Sequence, residues 1–356
     1  MGVVEFSPEF MLALDCCSAH FRDGSRPEAK ILDVDWSRFV DLVRFHRIQG
    51  LAWDLLSSSG GHMPTQAAQA LRSDAADIAA ANLRAAVECR RLLNAFEAAG
   101  QPILFLKGLT LGGLAYGNAS LKSGVDVDLL VDPAQLAPAA AILAELGYVG
   151  ARDSASLAAW HQARKDSQWS KPGTGMAVDL HTRLTDNPRL LPGITVHSQR
   201  QMVDVGGGIG LPALALDELF AHLAVHGASS AWFRLKWISD FAALVSPLSA
   251  SEIDRLYRRS QELGAGRAAG QALLVADRLF KALDELPELR AELSADRRTL
   301  LLTSAALKQL AGTREPTSHA GGTWRIHWTQ FLLLPGLGFK LAELTRQARA
   351  ALSSRG

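Results

Sequence analysis

Apolar positions along the chain change their period twice, and the changes divide it into three regions. In the first, Trp36, Phe39, Val40 and Val43 recur at helical spacing, followed by Ile48, Leu51 and Leu55. Such a stripe belongs to one side of a 3.6-residue helix. A Ser/Gly loop at residues 57–61 interrupts it, and Pro64 opens the next element. Residues 66–98 are alanine-rich with leucines at helical spacing, and Gly100 and Pro102 stop that helix. The second region, from about residue 102 to 214, reads differently. Residues 103–106 are a short apolar run suited to a buried strand, and after Gly108 the spacing predicts a short helix over 109–116. A loop at 117–124 leads into a strand over 125–131. Asp132-Pro133 turns the chain into a helix over about 135–146, closed by Gly147. Residues 176–184 read as another strand, and 201–205 with 209–211 as a hairpin turned by Gly206-Gly207-Gly208. From Leu216 the helical period returns over 219–245, then near 251–264, 268–283 and 295–310, with a loop at 313–322.

This order predicts an α/β protein: a small mixed sheet with helices (residues 101–214), flanked by an N-terminal helical segment (1–100) and a C-terminal helical domain (215–356). A cleft is expected between the sheet and the C-terminal helices.

Composition narrows the partners. With 37 basic against 36 acidic residues the formal charge is +1, so there is no basic excess for a nucleic-acid backbone. No nucleic acid is expected, and a small-molecule or peptide acceptor fits better. The odd count of three cysteines, Cys16, Cys17 and Cys89, without knuckle or redox spacing, reads as reduced thiols of a cytoplasmic protein. Residues 331–339 (FLLLPGLGF) are the most apolar stretch near the C-terminus. They are too short to span a bilayer and are broken by Pro335. They read as a buried or capping segment, with a membrane-surface role as the alternative.

The chemistry sits in the strands. Asp126 and Asp128 are two apart on a predicted strand with apolar neighbours, so period two puts both on one face. Two carboxylates on one buried face repel each other and are costly to desolvate. A divalent metal removes both problems, and hard oxygen ligands suit Mg²⁺ or Mn²⁺. Asp179, in Ala177-Val178-Asp179-Leu180-His181, is a third acid between apolar residues. The same period aligns it with His181 and Arg183. If the two strands are neighbours, three carboxylates converge in the arrangement used for in-line displacement at phosphorus. Gly108 allows a phosphate to approach a helix N-terminus, or serves only as a tight turn. Lys107 points to phosphate or pairs with an acid. Lys122 is a charge clamp or an exposed loop lysine.

Leu106-Lys107-Gly108 with Leu111 and Tyr116, then Lys122, Asp126-Val127-Asp128-Leu129-Leu130-Val131 and Val178-Asp179-Leu180-His181 together resemble the bacterial family of uncharacterised nucleotidyltransferases, within the polymerase-beta-like superfamily. The resemblance takes in Asp35-Trp36 and His46-Arg47 upstream. Downstream it reaches His222, His226-Gly227 and residues 232–240 (WFRLKWISD), so it covers roughly residues 30–245. It implies a nucleotidyltransferase core with Asp126, Asp128 and Asp179 as metal ligands and catalytic acids. Lys107, Gly108, Thr110 and Lys122 would then bind the phosphates, and His181, Arg183, Arg234 and Lys236 would contact an acceptor. The implied reaction is Mg²⁺-dependent transfer from a nucleoside triphosphate, and relatives often accompany polysaccharide or modified-peptide biosynthesis. Glycosyl transfer from a nucleotide-sugar on the same fold, or a non-catalytic nucleotide-binding role, are the alternatives. Three positions depart from the family pattern. Gly108 is followed by Leu109 where a second glycine or serine is usual, Lys122 stands where arginine is typical, and Asp179 where glutamate is frequent.

Two further motifs are set aside. His222-x-x-x-His226 lacks the glutamate after the first histidine that a zincin requires, and Gly206 to Gly208 lacks dinucleotide spacing. Asp240 is expected to pair with Arg234 or Lys236, and Trp232 and Trp237 to line the cleft.

Overall fold

The computed structural model describes residues 4–21, 33–59, 63–124, 126–152, 154–312, 316 and 323–353. The predicted loop at 313–322, Gly60 and Gly61 of the Ser/Gly loop, and Val125 of the predicted strand lie outside these, apart from residue 316.

Four helices precede the sheet: α1 (Pro8–Ser18), α2 (Trp36–His46), α3 (Gln49–Ser58) and the long α4 (Thr65–Ala98). Asp35 caps α2 by accepting from the backbone N–H groups of Ser37 and Arg38. The sheet region runs β1 (Leu104–Phe105), α5 (Leu109–Tyr116), β2 (Val127–Leu130), α6 (Leu136–Glu145), β3 (Val149–Gly150), α7 (Ser154–Ala163), β4 (Asp166–Lys171), β5 (Met176–His181), β6 (Arg200–Asp204) and β7 (Gly210–Leu214). Eight helices follow: α8 (Leu216–Ser229), α9 (Leu235–Val245), α10 (Ala250–Glu262), α11 (Gly266–Phe280), α12 (Pro287–Ala295), α13 (Arg297–Leu310), α14 (Trp324–Gln330) and α15 (Leu337–Ser353). No described helix is long and apolar enough to cross a membrane. In the apolar stretch at 331–339, Leu333 and Phe339 are buried while Leu337 is exposed.

The seven strands form one mixed sheet in the order β3-β4-β5-β2-β1-β7-β6. β2 and β5 are parallel neighbours, whereas β1 runs antiparallel to β2 and parallel to β7. Side-chain alternation assigns the two faces. Phe105, Leu129, Val131, Val178 and Leu180 pack with Leu92, Phe96 and Leu143 on the side of α4 and α6. Leu104, Leu106, Leu130 and Leu214 join the core on the opposite side, together with Phe39, Phe220 and Phe241. That second core therefore contains N-terminal helices, the sheet and C-terminal helices alike. Asp128 and Asp179 share the parity of Leu130 and so stand on the face toward α8 and α9.

The hairpin β6–β7 turns at Gly206, Gly207 and Gly208, all at positive φ, as expected. β2 begins at Val127, so Asp126 lies in a bend just before the strand and not within it. β5 ends at His181 and not at Leu184. The pattern of apolar residues predicted neither β3 nor β4. In β4 only Ser167 and Trp169 are buried, and a strand with one large apolar residue carries no readable period. Helices α1 and α12 were likewise not expected.

Candidate metal and phosphate site

β1 delivers Lys107 and Gly108 to the site. The Leu106 N–H donates to the Asp128 carbonyl at 3.1 Å, which sets the end of β1 beside the acid of β2. Gly108 then turns the chain into α5 with φ 65° and ψ −122°, a region essentially closed to residues with a side chain. Thr110 is buried, and its hydroxyl donates back to the Lys107 carbonyl at 3.0 Å, so it stabilises the turn that aims the lysine.

Asp128 and Asp179 are register partners on parallel strands, so their carboxylates stand side by side on one face. Asp128 is buried, Asp179 half-buried and Asp126 exposed. Asp128, Asp179 and His181 each bring a ligand atom within 4.8 Å of the other two. Burial by itself would raise the Asp128 carboxyl, but the Lys107 ammonium at 3.0 Å and His181 Nε2 at 3.1 Å hold it well below the usual carboxylate range. Asp179 behaves oppositely. Burial, then the charges of Asp126, Asp128 and Asp166 and a hydrogen bond with Asp126, push its carboxyl up to about 7. Two acids on adjacent strands are thus driven apart, the signature of a site short of one positive charge.

Burial, assisted by Lys165, lowers His181, so its ring is neutral. The ionised Asp128 can only accept, which places the ring proton on Nε2 and leaves Nδ1 as a lone pair. Nδ1 has no hydrogen-bond partner. His181 therefore orients Asp128 from behind, as carboxylate-bound histidines do at metal sites. Its Nε2 is committed to Asp128, and the carboxylate oxygens of Asp128 and Asp179 are the donors that suit a hard divalent cation.

A cleft next to these acids is lined by four cations: Arg47, Lys107, Lys122 and Lys236. Gly108, at the N-terminus of α5, lines the same cleft, so backbone N–H groups and the helix dipole add to the positive field. Lys122 is buried, with its ammonium 3.0 Å from Asp240 Oδ2, and Tyr116 donates to the other oxygen at 2.9 Å. The loop carrying Lys122 is itself held by the Asn82 amide, which donates to the carbonyls of Ala119 and Lys122 at 3.0 and 2.8 Å. The Lys236 ammonium donates to the Ser123 carbonyl at 3.2 Å, and burial followed by the charge of Lys122 lowers its pKa to about 7. A second cleft, on the α4 side, shares Lys107, Gly108, Asp126 and Asp128 and adds Asn82, Phe105, Met176 and Leu211, a more enclosed and more apolar space suited to a ring.

Of the acceptor contacts expected from sequence, His181 and Lys236 reach the site and two arginines do not. Arg183 donates to the carbonyls of Thr185 and His161. Arg234 donates to the Phe45 carbonyl and tilts over the Phe45 and Phe233 rings. The expected partner of Asp240 was Arg234 or Lys236, whereas the structure pairs it with Lys122. Arg47 carried no assigned role. It caps α2 at a φ of 57°, and the only trace of it in the sequence is its place in the His46-Arg47 pair. His46, kept neutral by burial, accepts from the Leu235 N–H at 3.0 Å and so ties the end of α2 to the start of α9. Trp232 packs on Gly227, where a Cβ would lie 2.3 Å from the indole. It is a buried brace between α8 and α9, whereas Trp237 lines the cleft.

No curated protein matches the chain. A family model described as uncharacterised nucleotidyltransferase matches residues 33–281, a span that holds β1, β2 and β5, the Gly108 turn and all four cations of the cleft. The chain belongs to this uncharacterised nucleotidyltransferase family.

Proposed function

We propose that this protein transfers a nucleoside monophosphate from a nucleoside triphosphate to a hydroxyl or phosphate acceptor, with Mg²⁺ as cofactor and Mn²⁺ as a substitute, in a cytoplasmic tailoring step on a modified peptide or a polysaccharide. The observation that carries this reading is a single cleft in which Asp126 and Asp128 stand beside Arg47, Lys107, Lys122 and Lys236, with Asp179 the register partner of Asp128 on the adjacent strand.

Asp126, Asp128 and Asp179 would hold the metal, which when bound supplies charge neutralisation and Lewis acidity at the phosphates. Lys107, Lys122, Lys236 and Arg47 bind the triphosphate oxygens, and the Gly108 turn lets them approach the backbone. The wall formed by Phe105, Met176 and Leu211 receives the base. In the transfer, the acceptor oxygen forms a bond to the α-phosphorus. The bond from that phosphorus to the α–β bridging oxygen breaks, and pyrophosphate leaves. The acceptor proton passes to a carboxylate oxygen of Asp179.

Titration calorimetry with each nucleoside triphosphate, with and without Mg²⁺, tests this. Binding that requires the metal and disappears in Asp128→Ala is expected, together with acceptor products heavier by a nucleoside monophosphate. Failure of every nucleotide to bind, or products heavier by a hexose after incubation with nucleotide-sugars, would overturn it.

A further inference from the structure

Next to the four-cation cleft, and sharing Lys107 and His226 with it, lies a third pocket that the reaction above leaves unused. Its volume, with the solvent at its open mouth included, is about 610 Å³. Lys107 and His181 form one wall, His222 and Ser229 of α8 another, and Asn187 with α15 a third. His181 thus belongs to both places, since its Nε2–H is bonded to the metal-site acid Asp128 while its ring lines this pocket.

The charged groups around the pocket are already matched. Lys165 pairs with Asp166. Arg346 donates from Nε to both oxygens of Glu343 at 3.1 and 3.0 Å, and Asn187 donates to the same carboxylate at 3.1 Å. Lys107 is held by Asp128. Among the described residues lining the pocket, each of these cations already faces a carboxylate. The uncommitted polar atoms are those of histidines. Neither ring nitrogen of His222 has a hydrogen-bond partner, and neither does Nδ1 of His181, although the two residues are only 3% and 1% exposed. A buried polar atom without a partner is costly, so a ligand that completes these bonds is favoured over an apolar one. A neutral imidazole presents one donor and one acceptor, as does an alcohol. Leu333 and Phe339 complete the lining with apolar surface.

We propose that this pocket is the acceptor site and that it takes an uncharged, polyhydroxylated acceptor such as a sugar, whose hydroxyls pair with His181 and His222 while its C–H faces rest on Leu333 and Phe339. The proposal rests on the nucleotidyl-transfer reading for its chemistry. One acceptor hydroxyl loses its proton to Asp179 and gains the α-phosphoryl group, and pyrophosphate is released. Glu343 and Arg346 of α15 lie beyond residues 33–281, the span the family model matches, and they shape this pocket.

Saturation-transfer NMR on the full chain tests it. The probes are methyl glucoside, N-acetylglucosamine and myo-inositol, with inorganic phosphate and glycerol 3-phosphate as anionic arms. His222→Leu removes both free nitrogens, and Ser229→Phe fills the pocket from the end of α8 without touching a histidine. Saturable binding of at least one uncharged probe is expected, weakened roughly tenfold or more in both variants, with Mg²⁺–nucleotide binding unchanged in each. Binding of the anions alone, of none of the probes, or of uncharged probes equally well to wild type and Ser229→Phe would overturn the assignment. If wild type binds a polyol in this variant-sensitive way but binds no nucleotide, the pocket stands and the nucleotidyl reading falls.

Discussion

The ammonium of Lys107 lies 3.0 Å from Oδ1 of Asp128, and Lys107 lines both clefts beside the acids as well as the pocket closed by α15. On the proposed reading, a cation bound at Asp128 would compete with Lys107 for that carboxylate and free the lysine for phosphate.

Asp128→Ala leaves that ammonium in a largely buried place without its counter-ion, and the expected loss is about 3–5 kcal/mol. Lys107→Met in the same background removes the orphaned charge. The double variant should therefore be more stable than the sum of the two single losses. Urea unfolding of the four proteins measures this directly, and strictly additive losses would show that the two groups do not interact.

Asp179 makes the metal-free protein pH-sensitive. Its carboxyl titrates near 7 when folded against an ordinary value of 3.8. Between these values the folded state keeps a proton that the unfolded chain has lost. Its contribution is fully present below about pH 4 and is lost as pH rises to about 7. A bound metal takes the ionised carboxylate, so Mg²⁺ uptake below pH 7 should release a proton, and apparent affinity should rise toward pH 7 and then level. Calorimetry at pH 6 in two buffers of different protonation enthalpy reports the released proton, and identical heats in both would contradict the prediction.

Lys236 is a cation held at a cost. Burial and Lys122 depress its pKa to about 7 from 10.5. The unfolded chain binds that proton through the whole window and the folded protein progressively loses it, so this group costs stability as pH falls from about 10.5 toward 7. Lys236→Met should consequently raise the melting temperature at neutral pH. It should also weaken Mg²⁺–nucleotide binding about tenfold, because a phosphate contact is gone. A variant that gains stability and keeps its nucleotide affinity would remove Lys236 from the phosphate cleft.

Gly108→Ala should cost about 1–3 kcal/mol through torsional strain. Steric clash is not the cause, since the nearest atom to an added Cβ is the Asp126 carbonyl oxygen at 3.8 Å. The strained turn also displaces the N–H groups at the start of α5, so nucleotide affinity should fall with it. Thermal melts and nucleotide titration on the same sample separate the two effects.

Part of the candidate site is legible in the chain alone: Asp128 and Asp179 as acids among apolar strand residues, and Gly108 and the hairpin at Gly206 to Gly208 as glycine where φ is positive. Asp126 lies in a bend outside that alternation. The partners of those residues were harder to read. Asp240 lies four residues from Lys236, and helical spacing suggested that pair, yet its carboxylate meets Lys122 from a loop more than a hundred positions earlier. Arg183 follows His181 at strand spacing, but β5 has ended by then and the alternation no longer applies. β4 escaped notice because Asp166–Lys171 buries only Ser167 and Trp169.

By itself, the sequence determined which face each strand residue takes. Val178 and Leu180 had to go to one core and Asp179 and His181 to the other side, because successive side chains of a strand alternate. Tertiary structure alone decided that β5 lies beside β2 with Asp179 level with Asp128. It also decided that α15 closes the pocket lined by Lys107. Strand order and helix docking are set by how whole faces fit together across many residues, and a local period carries no record of which distant face it will meet.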